Sequence, residues 1–211
     1  LLIKLNHLFP IKQIKEVSRT QQLNRYRKVT ELEYGIFLFM KDVNTNDIWS
    51  NTYAPMNVKP DKYEVIFASD KIKFLRRDDK ISTKTEIVVC RNHHAEIRKV
   101  TFKNEDEVEK ELELTSYIEP ILSENMDDIS HRVFNNMFIS TEFDGKTNSL
   151  IAKRKNRGDS NVNTYMVTRL IMDNPLTKYT YETERVNFIG RGNFLNQADA
   201  LNGELSNYEG D

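Results

Sequence analysis

The sequence predicts an all-β chain built as one large antiparallel β-sandwich. Strand-length apolar segments recur at short intervals, turn-forming residues separate them, and no long capped helical run interrupts the series. About ten strands can be read this way, which leaves helix less than about a fifth of the chain.

Residues 1–30 are the least decisive part. Leu8, Ile11, Ile14 and Val17 fall at helical spacing, but a strand pair with a polar loop fits equally well. From Gly35 the pattern sharpens. Gly35 to Met40 is β-branched and aromatic, Asp42 to Asp47 is turn-forming, and Ile48 to Tyr53 returns, so the three form a hairpin. Pro55 and Pro60 bracket a loop. Strands then follow at Tyr63 to Ala68, Ile72 to Arg76 and Ile81 to Cys90, parted by Ser69-Asp70 and Asp78-Asp79.

The centre of the reading is Ala95 to Leu122. Ile97 to Lys103 and Glu109 to Ile118 are both extended, and the polar link that begins at Asn104 is expected to close them into an antiparallel hairpin. In the second strand Leu112, Leu114 and Ile118 share one face, and Glu111, Glu113, Thr115 and Tyr117 the other. One face should be buried and one wet. Further strands are expected at Met137 to Phe143, Leu150 to Arg154, Tyr165 to Met172, Thr177 to Tyr181 and Arg185 to Ile189. Gly190 and Gly192 would permit a positive-φ bend after the last.

Composition narrows the function. The 31 Lys and Arg against 32 Asp and Glu give no overall pull toward nucleic acid or anionic membranes. Only residues 1–30 are basic, with seven cations, Lys4 to Lys28, against Glu16, and a solvated face accounts for that better than a nucleic-acid arm. The opening LLIKLNHLF is too short and polar to insert into a membrane. Cys90 is the only cysteine and no Asn-x-Ser/Thr acceptor occurs, which points to a reducing, cytoplasmic setting. The chain opens on Leu1 rather than Met, as a piece of a longer polypeptide would.

The residues that could carry chemistry each have a plainer role. Cys90 as a nucleophile would need His93 or His94 as a base, yet it ends a strand. His93, His94 and His131 lack metal-ligand spacing, so no metal is expected. Glu142 with Asp144, or Glu182 with Glu184, could form a glycosidase carboxylate pair, although residues two apart on any strand share a face. Gly190-Arg191-Gly192 lacks the third glycine and following helix of a phosphate loop. Trp49, Tyr53, Tyr63, Tyr117 and Tyr165 could stack on sugars, but strand aromatics are more often core.

The C-terminal segment carries a specific resemblance. Phe188-Ile189-Gly190-Arg191-Gly192-Asn193-Phe194-Leu195, continuing through Ala200-Leu201-Asn202-Gly203-Glu204-Leu205-Ser206, resembles the Phe-Leu-Gly-Arg-Gly … Ala-Leu … Gly … Leu-Ser run of glycoside hydrolase family 94, formerly glycosyltransferase family 36. Other blocks match in order: Arg25-Tyr26-Arg27, Asp42 to Ser50, Tyr63-Glu64-Val65, Glu96 to Asn104, Leu112 to Tyr117 and Phe134 to Glu142. The similarity runs over about residues 24–207. It departs from the family in the absence of glycine from residues 1–23 and in Arg132, where Pro is usual.

The resemblance implies the N-terminal super-sandwich, galactose-mutarotase-like in fold, of enzymes such as cellobiose and oligo-β-glucan phosphorylases and the cyclic β-1,2-glucan synthases. Residues 1–211 would then be a single sandwich domain. The family's general acid and phosphate-binding residues lie in an (α/α)6 barrel downstream, so no catalytic residue carries over and no activity is expected of this stretch alone. Expected partners are that barrel, a β-glucan oligosaccharide and a second subunit, with no nucleic acid; no cofactor is expected, and inorganic phosphate would be a co-substrate of a full-length phosphorylase. The setting would be cytoplasmic, or the cytoplasmic side of a membrane-anchored synthase. Phe194, Leu195 and Leu201 are the expected interface residues; the alternative is that their segment covers a sheet of its own sandwich. The competing functional class is an independent carbohydrate-binding or protein-interaction sandwich.

Overall fold

The computed structural model describes residues 2–4, 9–13, 21–24, 35–124, 128, 130–155, 163–171 and 180–208. The chain begins with β1 (Leu2–Lys4), β2 (Phe9–Gln13), β3 (Gln21–Asn24), β4 (Ile36–Asp42) and β5 (Ile48–Ser50). Next come β6 (Lys62–Phe67), β7 (Ile72–Asp78), β8 (Ile81–Val89), β9 (Ala95–Asn104), β10 (Leu112–Ile118) and β11 (Pro120–Glu124). The short helix α1 (Arg132–Asn136) precedes β12 (Ile139–Asp144), β13 (Ser149–Arg154), β14 (Thr164–Arg169) and β15 (Thr180–Glu182), and α2 (Arg185–Ile189) follows. Among the described residues, no helix is long and apolar enough to cross a membrane.

The strands form an eight-stranded sheet in the order β12-β13-β14-β2-β9-β8-β7-β6 and a five-stranded sheet in the order β15-β1-β10-β4-β5, with β11 and β3 paired separately. Every pairing is antiparallel. The large and small sheets pack face to face through Leu38, Met40, Trp49, Leu114 and Ile118 on one side and Ile81, Val100, Leu150, Ala152 and Met166 on the other. This is the sandwich that the spaced apolar segments predict. In the N-terminal stretch, where two readings were open, β2 joins the large sheet between β14 and β9. The predicted segment at Thr177 begins, and the Arg25-Tyr26-Arg27 block lies, outside the described residues.

One expectation is overturned. Ile97 to Lys103 and the strand ending at Ile118 do not form a hairpin: β9 pairs with β8 and β2, while β10 pairs with β1 and β4 in the other sheet. Alternation identifies a strand but is silent about its partner. Residues 105–111 form a crossing rather than a turn, held where Glu105 N–H donates to the Lys80 carbonyl at 2.7 Å and Lys110 Nζ donates to Asp42 at 3.2 Å.

The wet face expected on β10 is also absent. Leu114 and Ile118 face the large sheet, while Tyr117 on the opposite face is 1% exposed. Phe37 and Phe39 of β4 lie beside it, with ring centroids 6.4 Å apart for Phe37 and Tyr117. The run Phe37-Leu38-Phe39-Met40 is therefore continuous rather than alternating, because both faces of β4 are buried. What covers the outer face is α2 and the segment after it: Phe188, Ile189, Leu195, Leu201 and Leu205 pack on Phe37, Phe39 and Tyr117. Arg185 to Ile189 is thus a helix, not the predicted strand. Tertiary burial of the adjacent Phe188 and Ile189 overrides the strand preference of Val186 and Ile189.

Candidate functional site

Of the carboxylates that sequence could pair, one in each pair, Glu182 and Asp144, is committed to structure. Glu182 is 1% exposed and accepts the Thr183 and Glu184 amides at 2.9 Å, together with a short hydrogen bond from Ser206 Oγ. It therefore fastens the C-terminal segment to β15, while Glu184 is the residue that opens α2. Asp144 accepts Thr147 Oγ1 at 2.6 Å and the Lys146 amide at 3.0 Å, closing the β12–β13 turn; Glu142 is exposed on β12. The Thr147 hydroxyl, first among these contacts, holds the Asp144 carboxyl below the usual range.

The other sequence candidates scatter. His93, His94 and His131 are exposed in loops and Cys90 is half-buried at the end of β8. Among the described residues no three His, Cys, Asp or Glu converge in a metal-holding group. The five aromatics do not share a platform. Trp49 and Tyr117 belong to the two separate cores, Tyr53 and Tyr63 line the surface near the loop after β5, and Tyr165 lies under the Lys153 ammonium, 5.6 Å from its ring centroid.

Gly190-Arg191-Gly192 makes a bend. Gly190 has φ +89° and ψ 159°, a region open in practice to glycine alone, and a β-carbon there would meet Asp199 Oδ2 at 2.1 Å. Asp199 in turn accepts Asn193 Nδ2 at 2.8 Å. The two glycines, Asn193 and Asp199 thus fold the segment back over the small sheet. Of the three expected interface residues, Leu195 is 1% and Leu201 3% exposed within this chain, and only Phe194 stands out, at 65%. Leu195 and Leu201 are corrected to core, since their apolar side chains find the outer face of β4 and β10 inside the same chain.

A cleft rimmed by carboxylates lies at one end of the sandwich and was not found by motif reading. The β4–β5 turn, the loop after β5 and the β7–β8 turn enclose about 260 Å³ rimmed by Asp42, Asp47, Asp61, Asp78 and Asp79, with Lys59 and Lys110 beside them and Trp49 and Ile81 among its apolar lining. Asp42 is 3% exposed and accepts the Asn44 and Thr45 amides at 2.9 and 3.3 Å and Lys110 at 3.2 Å. Burial pushes its carboxyl up, but the Lys110 ammonium and the two amides outweigh burial and hold it below the usual range.

Asp78 is gripped by Arg76, whose Nε and Nη2 both donate at 2.7 Å. The same buried guanidinium donates to the Thr52 and Val58 carbonyls at 3.1 and 2.9 Å, so it staples the loop after β5 to β7. The signal for this was Arg76 itself, a charge at an inward position of an otherwise readable strand.

On the other core, Tyr117 Oη makes a short hydrogen bond to Glu119, and Arg185 Nε donates to the same carboxylate at 2.9 Å. Burial, and next the Glu119 charge, push the Tyr117 phenol far up. Among the described residues, the carboxyls of Asp42, Glu86, Glu105, Asp106 and Asp144 are held below the usual range. Such groups can accept hydrogen bonds from hydroxyls, but they are poor proton donors at neutral pH.

The chain matches the family profile described as "Glycosyl hydrolase 94, supersandwich domain" over residues 14–211. It is also similar to the cyclic beta-(1,2)-glucan synthase NdvB of Rhizobium meliloti (strain 1021), with 33% identity over 171 residues. That alignment covers 79% of this chain and 6% of the relative, so the chain spans only a small part of the relative's length.

Proposed function

From the premise that the chain belongs to glycoside hydrolase family 94 as its supersandwich domain, we propose that it serves a glycan-processing enzyme without making or breaking glycosidic bonds itself. The observation that carries this reading is the state of its carboxylates. A glycosidic bond is cleaved by an acid whose pKa is raised, working with a second carboxylate about 5–9.5 Å away. Here Glu182 and Asp144, one from each candidate pair, are consumed by structural donors, and the carboxyls of Asp42 and Asp144 are held low, the wrong way for an acid.

The chemistry then belongs to a catalytic domain beside the sandwich, acting on a β-glucan, with inorganic phosphate as co-substrate where the enzyme is a phosphorylase. Similarity to a cyclic beta-(1,2)-glucan synthase favours a β-1,2-linked glucan. The sandwich is there to wall the substrate cleft and to offer a surface to the catalytic domain or to a second subunit. Phe194, exposed on a segment whose neighbours are locked in the core, is the residue of the expected three that can meet such a partner.

Incubating the pure chain with cellobiose, sophorose or longer β-glucans in phosphate buffer tests the reading. No sugar phosphate should be released. Turnover that survives repurification would overturn it and would direct attention to the acidic cleft beside Trp49.

A further inference from the structure

The outward face of β6, β7, β8 and β9 carries a charge arrangement that folding alone does not favour. Strand register places Lys62 directly across from Arg77, Arg77 across from Ser82, and Ser82 across from Lys103. Lys84 projects from the same face two residues along β8 from Ser82. Like charges directly opposite on adjacent strands repel and destabilise a sheet. The chain as a whole is nearly balanced, with net charge −1, so this concentration of cations is local.

Glu105 is the carboxylate at hand for this row, and it is shared. It accepts Ser82 Oγ at 3.0 Å and pairs with Arg77 Nε at 3.1 Å and Lys103 Nζ at 3.6 Å. Two rows further, Glu86 is shared in the same way by Lys71, Lys73 and Lys84 at 3.6, 4.0 and 3.1 Å. Among the described residues Lys62 has no ion pair. Glu64, two residues along β6 from Lys62, is the other carboxylate of this face, but Glu105 alone lines the concavity with Lys62, Arg77, Lys84 and Lys103, so positive charge is left over there.

These cations rim a trough of about 410 Å³, floored by Leu75 and Thr101. A solvated charged face would explain lysines on an outer sheet, but not their convergence on a concavity, nor a like-charge pair placed in direct register. The volume suits a small molecule. Ammonium and guanidinium groups together suit a phosphoryl oxyanion, and Ser82, Thr101 and Glu105 suit hydroxyls on the body that carries it.

We propose that this trough binds a small phosphate monoester, with its phosphoryl group between Lys62, Arg77 and Lys84 and its hydroxylated body against Leu75, Thr101 and Glu105. The trough adjoins the acidic cleft, its Lys62, Arg77 and Ser82 being chain neighbours of the cleft residues Asp61, Asp78 and Ile81, but its test reads binding rather than turnover, so it stands or falls separately from the phosphorolysis assay.

Titration of the ¹⁵N-labelled chain by NMR tests it, with glucose 6-phosphate, inorganic phosphate, sulfate, glucose, and vesicles of phosphatidylglycerol or phosphatidylcholine as probes. Glucose 6-phosphate should give saturable shifts confined to the four strands, inorganic phosphate weaker ones and glucose none. Lys62→Gln should weaken glucose 6-phosphate binding at least about fivefold, the scale of one lost charge-assisted contact. It should leave the melting temperature unchanged or raise it, because the variant relieves the repulsion with Arg77. Glucose 6-phosphate shifts no stronger than those of sulfate, or an affinity untouched by Lys62→Gln, would overturn the proposal. Binding to phosphatidylglycerol vesicles without binding to glucose 6-phosphate would overturn it too, by assigning the face to a lipid headgroup.

Discussion

The outer face of the small sheet and the outer face of the β6–β9 end of the large sheet began as equivalent surfaces of a sandwich, and the chain treats them oppositely. The first carries Phe37, Phe39 and Tyr117 and is sealed by α2 and the segment through Leu205. The second carries Lys62, Arg77, Lys84 and Lys103 and is left open. A sealed apolar face contributes stability and little else, whereas an open charged one is free to meet a ligand. The densest run of recognisable sequence, Phe188 to Ser206, therefore marks architecture, while the surface with unexplained chemistry lies on strands that carry no motif.

The largest effect that could blur this contrast concerns how the open end is held on. Arg76 joins β7 to the loop after β5 through two hydrogen bonds, to the Thr52 and Val58 carbonyls, and is itself held by two more to Asp78. Arg76→Met would leave Asp78 and those two carbonyls unmet in a largely buried setting. Loss of one partner from such a pair costs about 3–5 kcal/mol. Chemical denaturation should show that loss, and a change below about 1 kcal/mol, the scale of an exposed pair, would mean the loop is held by something else.

Next in size are two substitutions inside the sealing segment. Gly190→Ala puts a side chain at φ +89° and drives its β-carbon toward Asp199 Oδ2, 2.1 Å away. Strain of this kind is worth about 1–3 kcal/mol, and the clash adds to it. Leu195→Ala opens a cavity over the small sheet and should cost about 2–5 kcal/mol. Both losses should appear as lowered melting temperatures. A neutral Leu195→Ala would mean that the segment peels away in solution and that the two faces are alike after all.

What was legible in the sequence follows the same division. The strands of the β4–β5 hairpin and of β6 to β9 were readable because alternation, β-branched runs and Asp- or Asn-rich turns are local signals. The partner of β10 was not, since pairing depends on how residues 105–111 cross between sheets. Whether Tyr117 would face water could not be read from β10 either, because the helix that covers it lies some 70 residues on and its sequence looks like a strand. The bend at Gly190 was foreseen from the glycines. Its purpose, nesting Asp199, was not, because that contact is tertiary. The cation row on β6–β9 depends on three strand registers and has no signature in any single segment.

A smaller effect is expected at the acidic cleft. Asp42 is held below the usual aspartate pKa, of about 3.9, so its ionised form is favoured by folding. A depressed carboxyl contributes stability above its unfolded pKa and loses it as pH falls through the lower folded value. Lys110→Met removes the ammonium that outweighs burial. The variant should melt below the parent at pH 7, and the gap should close as pH falls below about 4. A gap that is constant from pH 7 to pH 3 would mean that Lys110 acts by packing its stem rather than by its charge.

The smallest expected effect on stability is the most useful for function. Phe194 and Leu195 are adjacent, yet one is 65% exposed and the other 1%. Exposed positions away from caps and buried networks change stability by about 0.5 kcal/mol or less, so Phe194→Ser should leave the melting temperature nearly unmoved while Leu195→Ser lowers it sharply. The pair separates two things that a double substitution would confound. If Phe194 meets a neighbouring domain or a second subunit, Phe194→Ser should weaken self-association, or capture of the separately expressed catalytic domain, in sedimentation or pull-down measurements at unchanged stability. If association survives Phe194→Ser and fails only where Leu195→Ser has also unfolded the cover, the segment serves this sandwich alone, and a partner must be sought at other exposed apolar side chains, such as Phe67 and Val89 at 77% and 67%.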